Sequence, residues 1–306
     1  MRVHHLNCVT MCPPGGWLMD GRHRPKGLPA ALTCHCLLVE TERGLVLVDT
    51  GFGLEDVREP RPRLSPFFLK LNRPRLNEEQ TAVKQVERLG FNPEDVRDVV
   101  LTHLDFDHAG GLDDFPWARV HVMGAEVEAA EAQATWLDRQ RFRPRQWETR
   151  PHWVTYPMPY GGERWFGFEC VRELRGLPPE ILLVPLVGHT LGHAGVAVRG
   201  EDGWLLHAGD AYFYHREVLP RPSCTVGLRL YQELMQKDGK RRRWNQERLR
   251  ELARRHEREV RVFCAHDAVE FERLEEDSRR REGKTPTPAL SARGEAFAPS
   301  SPFPPR

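Results

Sequence analysis

Apolar positions arrive in short bursts along this chain, and several bursts end at an aspartate or a histidine. Runs this short, rich in Val, Leu and Ile and bounded by Gly, Asp and Thr, read as strands rather than buried helices. Residues 33–40 and Gly44–Val48 are expected to pair as a hairpin across Thr41-Glu42-Arg43, the second strand leading into Asp49-Thr50-Gly51. Further strands are expected at 96–101, Arg119–Met123, 181–187, 195–198, 204–208 and 260–264.

Helical spacing is rarer. Leu249, Leu252, Ala253 and His256 recur at i, i+3, i+4 and i+7, which predicts an amphipathic helix over 245–259. A second helix is expected from Asn77 as N-cap to Gly90, and a third over 125–133. Residues 60–74, crowded with Pro and Arg, read as an irregular loop, and Lys240 to Arg243 as a solvated loop at a helix start. The segment 136–160 carries Trp136, Phe142, Trp147, Trp153, Tyr156 and Tyr160 without a period, so it reads as an aromatic lid over a pocket, or else a poorly regular part of the core, within an insert at 134–165. Pro, Ser, Thr, Ala and Gly dominate from 282 onward, which predicts one domain over 1–281 and a disordered tail over 282–306.

Composition narrows the class of partner. With 40% hydrophobic residues the chain can bury a sizeable core, and 45 basic against 44 acidic residues leave a net charge of +1. Such balance gives no field to attract a polyanion, so no nucleic-acid partner is expected. No apolar run approaches the roughly 18–20 residues of a membrane span, and no signal-like stretch follows Met1, so a cytoplasmic address without a membrane partner is expected. The 7 cysteines are odd in number and scattered, which fits reduced thiols. Cys34 and Cys36 share one face of the first predicted strand and read as small buried thiols rather than as a zinc set with Cys8 and Cys12.

The chemistry concentrates after the strand at 96–101. Thr102-His103-Leu104-Asp105-Phe106-Asp107-His108-Ala109-Gly110-Gly111 packs imidazoles and carboxylates so densely that a shared cation is the least costly partner for them. Three later strands end the same way: Gly188-His189-Thr190-Leu191-Gly192-His193, Gly209-Asp210 and Ala265-His266-Asp267. A lone His after a strand is usually structural. Here every such group sits at a strand end, where layered sheets gather their loops.

On these motifs the chain resembles the metallo-β-lactamase superfamily over roughly residues 30–270, with a His-x-Asp-x-Asp-His run where that family usually carries His-x-His-x-Asp-His. The resemblance implies an α+β fold, a four-layer αββα sandwich with two divalent metal ions in a groove at the sheet edges. Carried over residue by residue, it implies His103, Asp105 and His189 on the first metal, Asp107, His108 and His266 on the second, and Asp210 bridging them. Asp105 is the departure. A carboxylate still coordinates, but its hard oxygen moves preference from zinc, the metal otherwise expected, toward iron or manganese.

Within the superfamily the chain is most similar to the N-acyl-homoserine lactonases, through Asp107 to Gly111, Gly188 to His193, a Tyr soon after Asp210, and His266-Asp267. This implies a hydrolase in which a hydroxide shared by the metals attacks an ester, lactone or thioester carbonyl, with Asp107 at the reaction centre and Tyr212 or Tyr214 donating to substrate. The aromatic segment favours an apolar or acyl-bearing small molecule, whereas Arg141, Arg143 and Arg145 would suit a carboxylate. Asp49 and Thr102 are expected to orient a ligand or cap a turn, and His193 and His207 to support the ligands from behind or serve the structure rather than coordinate. Competing classes are a phosphodiesterase, a diiron redox enzyme of the same fold, for which no flavin-binding segment is seen, and a binding protein that has lost its chemistry. Nothing in the sequence fixes the oligomeric state.

Overall fold

The computed structural model describes residues 1–22, 28–148, 152–158, 163–171 and 174–282. The first sheet runs β1 (Val3–Asn7), β2 (His35–Thr41), β3 (Gly44–Val48), β4 (Val96–Val100), β5 (Arg119–Met123) and β6 (His152–Tyr156), side by side in chain order. Its first three strands are antiparallel, and β3 to β6 are parallel. After a small hairpin, β7 (Arg164–Trp165) and β8 (Phe168–Glu169), come β9 (Ile181–Pro185), β10 (Ala194–Gly200), β11 (Gly203–His207) and β12 (Val260–Phe263). These last four form the second sheet in the order β12-β11-β10-β9, with only β11 and β12 parallel neighbours.

Period-two alternation decides the layers. Leu37, Val39, Val46, Val48 and Val100 point from the first sheet onto Ile181, Leu183, Val196, Val198 and Phe263 of the second. Their strand neighbours Cys36, Leu38, Leu45, Leu47 and Val99 face outward onto Ala82, Val83 and Val86 of the helix Ala82–Arg88. The outer face of the second sheet packs Leu182, Val184, Leu206 and Val262 under Leu249 and Leu252 of the helix Gly239–Arg255. Helix, sheet, sheet, helix is the expected sandwich.

Several local expectations change. Residues 60–74 are helical at Pro60–Arg63 and Pro66–Asn72, because a proline at the start of a helix gives up no hydrogen bond and Ser65 accepts from Phe67 N. The helix after Asn77 splits into a 3₁₀ turn, Glu78–Gln80, and the helix Ala82–Arg88. Asp238 accepts from Lys240 N and Arg241 N, so the long helix starts at Gly239 and takes the basic run into its first turns. Arg242 is buried there, bonded to Gln232 and Gln236.

The aromatic segment is not a free lid. Trp136–Arg141 is a helix with a Thr135/Asp138 capping box, Pro144–Gln146 a 3₁₀ turn, and His152–Tyr156 the edge strand β6. Phe142 and Tyr156 belong to the core, whereas Trp136 stays exposed against Phe67. Tyr160 and residues 283–306, which hold nearly all of the expected tail, lie outside the described residues.

Strand direction prepares the site. Parallel β3 and β4 end on one edge, and β2 begins there because it is antiparallel to β3. In the second sheet β9, β11 and β12 run the same way and also end together. No helix among the described residues is long and apolar enough to cross a membrane.

Candidate metal centre

Loops from β4, β9, β11 and β12 bring His103, Asp105, Asp107, His108, His189, Asp210 and His266 together, all buried. One set is His103, Asp105, His189 and Asp210; a second is His108, Asp210 and His266, with Asp107 beside His266. Asp210 Oδ2 lies 3.8 Å from His103 Nε2 and 3.3 Å from His189 Nε2. Its Oδ1 lies 3.3 Å from His108 Nε2 and 3.1 Å from His266 Nε2. Each oxygen of one carboxylate therefore faces a different donor set.

Hydrogen bonds behind the rings fix which nitrogens carry lone pairs. His108 Nδ1 donates to Asp49 Oδ2 at 2.8 Å and His266 Nδ1 to the Thr33 carbonyl at 2.6 Å, so both Nε2 atoms offer lone pairs. Those atoms face each other at 3.4 Å, with Asp210 Oδ1 beside them and no hydrogen-bond partner of its own. Thr102 Oγ1 donates to Asp49 and accepts from His103 Nδ1, which leaves His103 Nε2 likewise unpartnered and buried. Lone pairs aimed at one another need a cation between them. The same pull acts on protons: burial disfavours the charged form of His266, yet Asp210 and Asp107 outweigh it and raise the imidazole to about 9. The donor sets fit two divalent ions.

The first set has a resident competitor. Arg141, fully buried, grips Asp105 with two parallel bonds, Nε to Oδ1 and Nη2 to Oδ2, each 2.6 Å. Its Nη2 also stands 2.6 Å from His189 Nε2, and its Nη1 donates to the Met235 carbonyl. Burial, then Arg141, pushes His189 down to about 4. The guanidinium expected to meet a substrate carboxylate is thus engaged inside the centre. Arg143 is also used internally, on the carbonyls of Arg63 and Pro62.

Two positioning residues explain why the loops hold. Asp49, at φ 53°, accepts from Thr102 N and Oγ1 as well as from His108, tying the ends of β3 and β4 together. Glu126, fully buried, accepts from Leu104 N, Thr190 Oγ1 and Gly192 N, pinning the loops of His103 and His189. Glu126 was not singled out in the sequence, where it reads as one more helical glutamate. His193 stays neutral, held down by burial and His103, and accepts from Asp210 N while donating to the Leu186 carbonyl. His207 bonds the His35 carbonyl and is structural, as expected.

The tyrosines fall differently from expectation. Tyr212 is fully buried in the outer core and donates to Glu270, which turns its hydroxyl away from any substrate. Tyr214 lines a narrow cleft with Leu32, Phe213, Leu228 and His266. A third, Tyr231 on the helix Val226–Met235, packs on Phe213, which stacks on His266. Burial, then Asp107, holds its phenol well above the ordinary range. That helix had no expectation attached to it, and only its Leu228, Tyr231 and Met235 spacing hints at an inward face.

Sequence comparison agrees with this geometry. A protein named probable metallo-hydrolase from Mycobacterium tuberculosis is 42% identical over 268 residues, covering 87% of this chain and 80% of its own. An N-acyl homoserine lactonase of Bacillus thuringiensis is 37% identical over 167 residues, 55% of this chain and 58% of that one. The crystal structure of an N-acyl homoserine lactone hydrolase, with N-hexanoyl-L-homoserine at its metal centre, shares the fold at a TM-score of 0.62 and 22% identity, covering 89% of this chain and 95% of that one. With residues 30–266 matching the family as a whole, the chain belongs to the metallo-beta-lactamase superfamily and is one of its hydrolases.

Proposed function

We propose that this protein hydrolyses a carboxylic ester, lactone or thioester of an apolar, acyl-bearing small molecule, at a centre of two divalent ions. The observation that carries the reading is Asp210, whose two oxygens face His103 and His189 on one side and His108 and His266 on the other. Two divalent ions bound there would supply an activated water and Lewis-acid stabilisation of an oxyanion. His103, Asp105, His189 and Asp210 would hold the first; Asp107, His108, His266 and Asp210 the second. Zinc suits the imidazoles, and the hard oxygens of Asp105 draw the first position toward iron or manganese.

The protein's own groups do the positioning. Asp107 orients the attacking water by accepting its proton, and Tyr231 donates to the developing oxyanion or leaving oxygen. Phe213, Leu228 and Leu32 line the cleft beside His266 together with Asp20, Arg22 and Asp267, which offers an acyl chain an apolar wall and a polar head charged partners. The match to acyl-homoserine lactonases points the same way. Seven cysteines, none of them in a disulfide, suit a reducing, cytoplasmic setting.

Screening acyl lactones, acyl thioesters and phosphodiesters against wild type and Asp210→Ala tests the reading. Carbonyl substrates should turn over and the variant should lose most of its activity, since each ion would lose the carboxylate they share. Undiminished turnover in the variant, or activity on phosphodiesters alone, would refute it.

A further inference from the structure

We propose that Cys34 is a thiolate ligand of the second metal position, which makes that position a mixed nitrogen, oxygen and sulfur site and the softer of the two. The inference deepens the two-ion reading and rests on it.

Strand direction brings the thiol there. Because β2 begins on the edge where β3 and β4 end, the residue just ahead of it, Cys34, arrives among the loops of the centre. Its backbone is fixed from both sides, with N donating to Asn7 Oδ1 and the carbonyl accepting from Cys8 N. The preceding carbonyl, Thr33, accepts the Nδ1 proton of His266 and so ties this segment to a proposed ligand. As a result Cys34 Sγ, a carboxylate oxygen of Asp107 and a ring nitrogen of His266 all lie within 4.8 Å of one another, every one of them buried. Donors that share a tetrahedral ion at about 2.0–2.3 Å are themselves separated by about 3.3–3.8 Å, so the three groups stand near that spacing.

A second observation points to the same space. Asp210 Oδ1, on a carboxylate only 3% exposed, has no hydrogen-bond partner and is 3.1 Å from His266 Nε2. His266 is the residue that joins this oxygen and His108 to the set holding the thiol. Cys34 shares an apolar cluster with Val9, Leu32, Phe52 and Phe106, and what sets it apart from the other buried cysteines near the sheets is that Asp107 and His266 lie within 4.8 Å of it. Cys36 and Cys264 sit in apolar cores, where a thiol acts as a small hydrophobe. A thiol placed against a carboxylate and an imidazole completes a donor set that suits a borderline or soft ion. The two positions then differ in kind: Asp105 hardens the first and Cys34 softens the second.

Cobalt(II) added to metal-free protein reports both points separately. Wild type should show visible d–d bands, which report bound cobalt, and a near-ultraviolet thiolate-to-cobalt charge-transfer band. Cys34→Ser should keep the visible bands and lose the near-ultraviolet band, whereas Cys36→Ser should keep both. Visible bands with no near-ultraviolet band in wild type, or one that survives in Cys34→Ser, would overturn the ligand assignment alone. No visible bands at all would overturn the metal-centre reading together with it. Should Cys34→Ser fail to fold, zinc K-edge absorption of the wild-type holoprotein decides: a sulfur shell at about 2.3 Å supports the proposal, and nitrogen and oxygen shells only reject it.

Discussion

The Arg141 guanidinium and the Asp105 carboxylate are joined edge to edge, Nε to Oδ1 and Nη2 to Oδ2, with both residues buried at the proposed first metal position. Asp105 stands where the superfamily usually has a histidine. A carboxylate with its own guanidinium carries the same net charge as a neutral imidazole, so the pair keeps the charge of the centre while changing its donor. Removing one member of such a pair leaves an uncompensated buried charge, at about 3–5 kcal/mol. Asp105→His and Arg141→Met should each destabilise metal-free protein by that order, and the double variant should recover at least about 1.5 kcal/mol relative to their sum. Urea unfolding of the four proteins measures this; simple additivity would show that the pair is incidental.

Arg141 also competes with an ion for the lone pair of His189, from which its Nη2 is 2.6 Å distant. A folded Arg141→Met should therefore bind its first-position ion more tightly, by about tenfold for each 1.4 kcal/mol of repulsion removed. Competitive titration against a chromophoric chelator gives the two affinities. Weaker binding in the variant would mean that Arg141 positions Asp105 more than it repels the ion.

Glu126 gathers the His103 and His189 loops through three hydrogen bonds to one buried carboxylate. Glu126→Leu would strand Leu104 N, Thr190 Oγ1 and Gly192 N without partners, at a cost of about 2–5 kcal/mol. Metal affinity should fall about 10–100-fold, as it does when groups behind ligands are removed. Circular dichroism melts and metal titration check both effects; a loss of stability with unchanged affinity would confine Glu126 to the fold.

Tyr231 has its phenol near the carboxylates of the centre and its ring against Phe213, and its hydroxyl accepts a long 3.4 Å bond from Asn72. If it donates to the transition state, Tyr231→Phe should lower kcat about 100-fold and leave KM and metal content nearly unchanged. Steady-state kinetics on the substrate found by screening decides the matter. Loss of metal, or a change in KM alone, would give Tyr231 a structural role instead.

What could be read from the sequence was whatever obeys a short-range rule. Strands β3 and β5 have the expected bounds and β4, β9, β11 and β12 differ at their ends, because alternation and flanking Gly and Asp are local signals. The ligand groups were legible for the same reason, each following an apolar run. Partners that meet only after folding were not. Arg141 reaches Asp105 across 36 positions and Glu126 reaches Thr190 across 64, so neither contact leaves a spacing to find. Cys34 looked like an ordinary strand thiol because the antiparallel turn that carries it to the centre is a property of the sheet. Strand β1 was missed since His4 and His5 break its apolar pattern, although Leu6 and His4 point inward.

Away from the candidate metal centre, Glu270 gives the fold a pH dependence of definite sign. Its carboxyl accepts from Cys264 N and Tyr212 Oη, and burial, then the charge of Asp267, pushes it up to about 8. Between its ordinary value and that point the folded chain binds a proton that the unfolded chain has released. Stability from this group is therefore complete below about pH 4.5 and declines as pH rises toward 8, by at most about 1.4 kcal/mol per pH unit. Glu270→Gln keeps acceptors for both donors and cannot ionise, so its stability relative to wild type should improve steadily from pH 5 to 8 and level off above. Other buried acids such as Asp114, raised to about 7, add slopes of their own, which cancel in the difference between the two proteins. Chemical denaturation of both at unit pH intervals measures that difference, and parallel curves would mean that Glu270 remains ionised in the folded protein.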